Sequence, residues 1–132
     1  MLNHQIVRTE FERIRKRYFP DWKDVSQWRF GIKKLEDPTM RGVVLEKEKE
    51  IWINKSILSN ISLSVLGAVI VHEICHIVIH DDEQTHGHNW CEKMEKIAWQ
   101  ARETDREMAE EVYSMFKQWS LNLALLETRK EK

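Results

Sequence analysis

The stretch from Leu63 to Ile79 constrains this chain most. It is apolar almost without interruption and nearly long enough to cross a bilayer. Yet it carries His72, Glu73 and His76, which are costly in lipid. A membrane span is therefore excluded, and the stretch reads as a helix over about 62–80. It is apolar nearly all round, so it belongs in the middle of the fold. Ser59-Asn60-Ile61-Ser62 precedes it and supplies N-cap residues. His and Glu are poor residues to bury without partners, so three such groups on one turn of a buried helix need a common partner.

The rest of the chain is arranged around that helix. Its 132 residues suffice for one core, so 1–132 is expected to be a single domain. Apolar residues make up 42% and charged residues 33%, a soluble globular composition. Two cysteines, Cys75 and Cys91, cannot build a disulfide framework, and the first residues lack the layout of a signal peptide. Both point to a reduced, cytoplasmic setting. Val7, Phe11, Ile14 and Tyr18 mark one face of a helix over 3–18, closed by Pro20. Strands are expected at Trp28–Ile32, at 41–46 and at Ile51–Ile53, plausible as an antiparallel meander. Asp81–Gln84 is a polar break. Trp90, Met94, Ile97 and Ala101 define a helix over 86–101, and Met108, Val112, Met115 and Trp119 a long C-terminal helix ending near Leu126. Core packing is the expected role of Trp90, Trp99 and Trp119, and of Cys75 and Cys91. Trp28 and Trp52 are candidates for lining a groove.

Residues His72-Glu73-Ile74-Cys75-His76 form an H-E-x-x-H pattern. Two imidazoles one helical turn apart share a face and can grip one zinc ion. The Glu beside the first His stands to the side of the pair, where it can take a proton from a water activated by the metal. A catalytic zinc needs a third protein ligand and one open position. His80, Asp81, Asp82, Glu83, His86, His88 and Cys91 are the candidates. His80 lies about 12 Å along the axis from His72 on the same helix, too far to converge. The metzincin extension is absent, because position 79 is Ile and position 82 is Asp. The third ligand therefore comes from beyond the chain reversal, with His86 beside Gly87 and His88 as rivals.

The segment His72-Glu-Ile-Cys-His76 followed by His86-Gly87-His88-Asn89-Trp90 resembles the SprT-like metalloproteases, whose pattern is H-E-x-C-H and then H-G-x-x-[FW]. Met94 and Ile97 fill the apolar spacing after it, and the resemblance spans roughly residues 40–100. It implies a zincin-like fold with a small antiparallel or mixed sheet beside the active-site helix. With the helices read from spacing, the expected fold is α+β: an N-terminal helix, a small three-stranded antiparallel or mixed sheet, the buried motif helix, a second ligand helix and a long C-terminal helix. It implies one zinc ion per chain held by His72, His76 and His86, with Glu73 as catalytic base. The edge strand would hold an extended protein or peptide substrate by strand addition. Many members carry a zinc ribbon of paired cysteines, whereas this chain has no C-x-x-C pair, and His88 stands where some relatives have Pro.

The best-known relatives cleave proteins cross-linked to DNA, so the resemblance implies substrates that are DNA-associated or DNA-crosslinked. Net charge is −1 overall, but residues 1–34 hold nine basic and four acidic residues, net +5. The run Arg13-Ile14-Arg15-Lys16-Arg17 gives the N-terminal helix a basic face that can meet DNA; the bland alternative is a solvated face. Two other functions remain open. One is a regulatory metalloprotease of another small zincin family, with Glu83 or Glu92 as third ligand. The other is a non-catalytic zinc-containing module that binds DNA or protein.

Overall fold

The computed structural model describes residues 2–79 and 86–130, with side chains through 121. Helix α1 (His4–Tyr18) begins where the Asn3 side chain accepts a hydrogen bond from the Ile6 N–H at 2.9 Å. It buries Val7, Phe11, Ile14 and Tyr18, the face read from the sequence. Strands β1 (Arg29–Lys33), β2 (Gly42–Leu45) and β3 (Glu50–Asn54) follow. Next come α2 (Leu63–Val78), α3 (His88–Ala101) and α4 (Arg106–Lys130). The fold is α+β, with four helices and a small mixed sheet.

The sheet is not a meander. Its order is β1-β3-β2, with β1 parallel to β3 and β2 antiparallel to it. The β2–β3 hairpin turns at 46–49, where Lys49 takes a left-handed φ of 56° and donates to the Glu46 carbonyl. β3 carries Ile51 and Ile53, both wholly buried, and takes the centre, where both of its edges are paired. β1 then adds alongside it, and the Trp52 ring lies over Gly31 in the paired register. A Cβ at Gly31 would fall 2.9 Å from that ring.

α2 is the spine. It packs against α1, β2, α3 and α4, and buries Leu66 through Val71 together with Glu73, Ile74, Cys75 and Ile77. Its first turn is capped by Ser62, which accepts from the Val65 N–H. The same turn is tied to the start of α4, because Ser62 donates to Glu107 at 3.0 Å and Ser64 to Asp105 at 2.9 Å. Asp105 also caps α4 through the Met108 N–H. No helix among the described residues is long and apolar enough to cross a membrane.

The loop between β1 and β2 is held by one buried side chain. Asn54 is fully buried and donates to the carbonyls of Asp37 and Met40, at 3.2 and 2.7 Å. Its Oδ1 accepts from the N–H groups of Leu35 and Ser56. Asn54→Ala removes the four hydrogen bonds that hold this loop and should cost about 2–3 kcal/mol of stability in urea unfolding. Asn54→Asp, which keeps the acceptor and loses both donors, should also destabilise. Wild-type stability in either variant would contradict this reading of the loop.

Candidate metal centre

Two of the three imidazoles come from one helix turn. His72 and His76 face each other on α2, with their Nε2 atoms 2.9 Å apart and ring centroids 4.6 Å apart. The third comes from the far side of the chain reversal. His86 lies in the turn before α3, with its ring centroid 5.4 Å from His72 and 4.6 Å from His76. One ligand atom from each residue lies within 4.8 Å of the other two, so the group could hold a metal ion. The chemistry of the donors fits. His86 Nε2 is buried without a hydrogen-bond partner. Burial and the neighbouring charges of His76, His86 and Arg41 push the His72 pKa down to about 3. Burial lowers that of His86 as well. Neutral imidazole is the ligating form, and three nitrogen donors suit zinc.

Glu73 lines a cleft of about 320 Å³ together with Met40, Arg41, Gly42, Val69, His72 and Met115. The carboxyl is only 7% exposed, and burial raises its pKa from 4.5 to about 7. β2 passes very close. A Cβ at Gly42 would sit 3.2 Å from Glu73 Oε1 and 3.2 Å from the Trp52 carbonyl oxygen, so a side chain there would press on the carboxylate.

A layer of tryptophan surrounds the imidazoles. Trp90, wholly buried, stacks on His76 at 5.5 Å and meets His72 and His86 edge-on at 5.2 and 4.5 Å. Trp119 reaches over from α4 and stacks on His86 at 4.2 Å, with 14° between the planes.

Several expected roles change with this geometry. Trp90 is core as read from its spacing, but Trp99 is 61% exposed with the Arg102 guanidinium over its ring, and Trp119 is 37% exposed. Trp99 falls between the buried positions Ile97 and Ala101, off the apolar stripe, and Trp119 stands where α4 has outrun the core. His86 precedes α3, which starts at His88 after the Gly87 N-cap. His88 is exposed. His88, Cys91 and Glu92 do not join the histidine group. His80, Asp81, Asp82 and Glu83 lie outside the described residues. Cys75 and Cys91 are buried, and burial raises the Cys75 thiol pKa, as for an inert core residue. Trp52 packs on Gly31, and Trp28 lines a separate cleft with Trp22 and Asp24, so neither joins the cleft beside the histidines. In the basic run, Arg13 pairs with Glu10, and Arg15 with Glu12 at 2.7 Å, which offsets part of its charge. The sequence reading missed Met40, Arg41, Gly42, Met115 and Trp119. Met115 and Trp119 were visible only as an i, i+4 pair on an apolar stripe.

Two histidines one turn apart on α2 and a third from the next segment form a group that could hold a metal ion, on an α+β fold consistent with a small zincin-like domain. A model of the SprT-like family matches residues 2–113, and the chain belongs to that family. A comparison with curated proteins finds no match.

The raised Glu73 pKa sets a pH dependence for the metal-free protein. The folded state favours the protonated carboxyl, so this contribution is fully present below pH 4.5 and is lost as pH rises through about 7. His72 acts in the opposite direction, because its neutral form is favoured and its contribution fades as pH falls below 6.5. Comparing Glu73→Gln with wild type in a chelator isolates the first effect. Their difference in unfolding free energy should shift in the variant's favour by up to about 3 kcal/mol between about pH 4.5 and pH 8. A difference independent of pH would contradict the burial of an ionisable Glu73.

Proposed function

We propose that the protein is a zinc-dependent endopeptidase. His72, His76 and His86 hold one zinc ion, and Glu73 is the general base. The observation that carries this reading is the convergence of three imidazoles beside a buried carboxylate that opens into a cleft. Bound zinc supplies Lewis-acid activation of water and of the scissile carbonyl. Glu73 takes the proton from the attacking water and passes it to the leaving amine. Burial raises the affinity of the Glu73 carboxylate for a proton, which favours taking one up from the water.

The substrate side is supported by β2. Among the described residues it pairs along one edge only, with β3, and its Gly42 borders Glu73. An extended peptide added along the other edge would run beside the carboxylate, with main-chain hydrogen bonds fixing its register. Met40, Val69 and Met115 give the cleft apolar walls, and Arg41 adds a charge at its lining. Protein substrates associated with or crosslinked to DNA fit the family, and the basic residues of α1 are the part of this chain suited to meeting DNA. The reading places the activity in the cytoplasm.

Glu73→Gln should keep about one zinc per chain by elemental analysis and lose cleavage of an unfolded protein by about 10³-fold or more. Cleavage at the wild-type rate would overturn the mechanism. His86→Ala should lose most of the zinc, and full retention would move the third ligand elsewhere. Running the assay with and without DNA separates a DNA-stimulated enzyme from an indifferent one.

A further inference from the structure

His72 and His76 are fixed by the backbone of α2, whereas His86 is not held by a helix. It occupies the turn before α3, whose N-cap, Gly87, has no side chain to brace it. A ligand on such a turn needs its ring plane set by neighbours, because metal affinity depends on orientation as well as on ligand identity. The neighbour that covers its face is Trp119, nearly coplanar with the ring at 4.2 Å, while Trp90 meets it edge-on at 4.5 Å. Trp119 belongs to α4, a helix of 25 residues whose first turn is anchored to the start of α2. It is 37% exposed and stands beyond residue 113, where the family match ends.

We propose that Trp119 is the positioning residue of the metal centre: its indole face holds the His86 ring in the ligating orientation and supports it once a cation is bound. This inference rests on the reading of His86 as a ligand. An imidazole that donates to a dication becomes more positive, and an aromatic face attracts positive charge. The contact therefore strengthens in the loaded state and contributes more to metal affinity than to the fold.

The test compares Trp119→Phe, which keeps a ring face, with Trp119→Leu, which keeps apolar bulk and loses it. Zn²⁺ affinity is measured by competition with a chromogenic chelator, and the site is read separately from the visible absorption of the Co²⁺-substituted protein. Leu should weaken Zn²⁺ binding by about 10-fold or more and alter the Co²⁺ spectrum, and Phe should stay within about 3-fold of wild type. The melting temperature of the metal-free protein should be the same in all three. Wild-type affinity in Leu, equal losses in Leu and Phe, or a lowered metal-free melting temperature in Leu would each overturn the proposal. His86→Ala, measured in parallel, keeps the two readings apart. If it loses Zn²⁺ while Trp119→Leu does not, Trp119 alone has been misread; if it binds as tightly as wild type, the three-histidine centre itself fails.

Discussion

Burying two imidazoles and a carboxylate on a single helix turn costs free energy that apolar packing alone does not return. The rest of the structure answers that cost. α2 is apolar elsewhere and can afford a central position, with α1, β2, α3 and α4 packed around it. The chain then reverses so that His86 reaches the same point in space. The Trp90 indole fills the space behind the three rings and excludes water from that side. In the metal-free protein these groups are held in their uncharged forms: burial disfavours imidazolium at His72 and carboxylate at Glu73 alike. A cation bound there would keep His72 neutral and would favour the carboxylate at Glu73, so ligand binding and folding stability would be coupled at this point.

The cleft depends on elements distant in sequence. Asn54, at the end of β3, organises the loop that delivers Met40 and Arg41. Gly42 follows directly and brings the backbone of β2 against Glu73. From the other direction α4 contributes Met115 to the cleft and Trp119 to His86. A further groove, about 440 Å³ between α3 and α4, is lined by residues including Trp99, Arg102 and Tyr113 and shares none of its lining with the cleft.

Local features of this fold were legible in the sequence. Helical spacing located α1, α2 and α3 to within a few residues, because each has a strong apolar face. The cap at Ser62 was legible, whereas the Gly87 cap that leaves His86 outside α3 was not. The family pattern, with its His-Gly-x-x-Trp, named the three histidines that the structure brings together. Strand order was not legible. Parallel pairing of β1 with β3 depends on contacts that span some twenty residues, and no residue pattern in short strands encodes it. The α4 stripe shows a different limit. Met108 and Val112 are wholly buried, Met115 is half-buried, and Trp119 is 37% exposed, although all four lie on one helical stripe. Periodicity identifies a face, and only the extent of the core decides how far along the helix that face stays covered.

The ties between Ser62, Ser64, Asp105 and Glu107 join the first turns of α2 and α4. Beyond that joint α4 packs against both α2 and α3, and the angle between α2 and α4 decides what lies further along them. Trp119 is about 21 Å along α4 from Asp105, and a change of about 5° in the angle between the arms would carry its ring about 2 Å across His86. The ties at the first turns and the packing of α4 along α2 and α3 thus fix together where the Trp119 ring stands over His86.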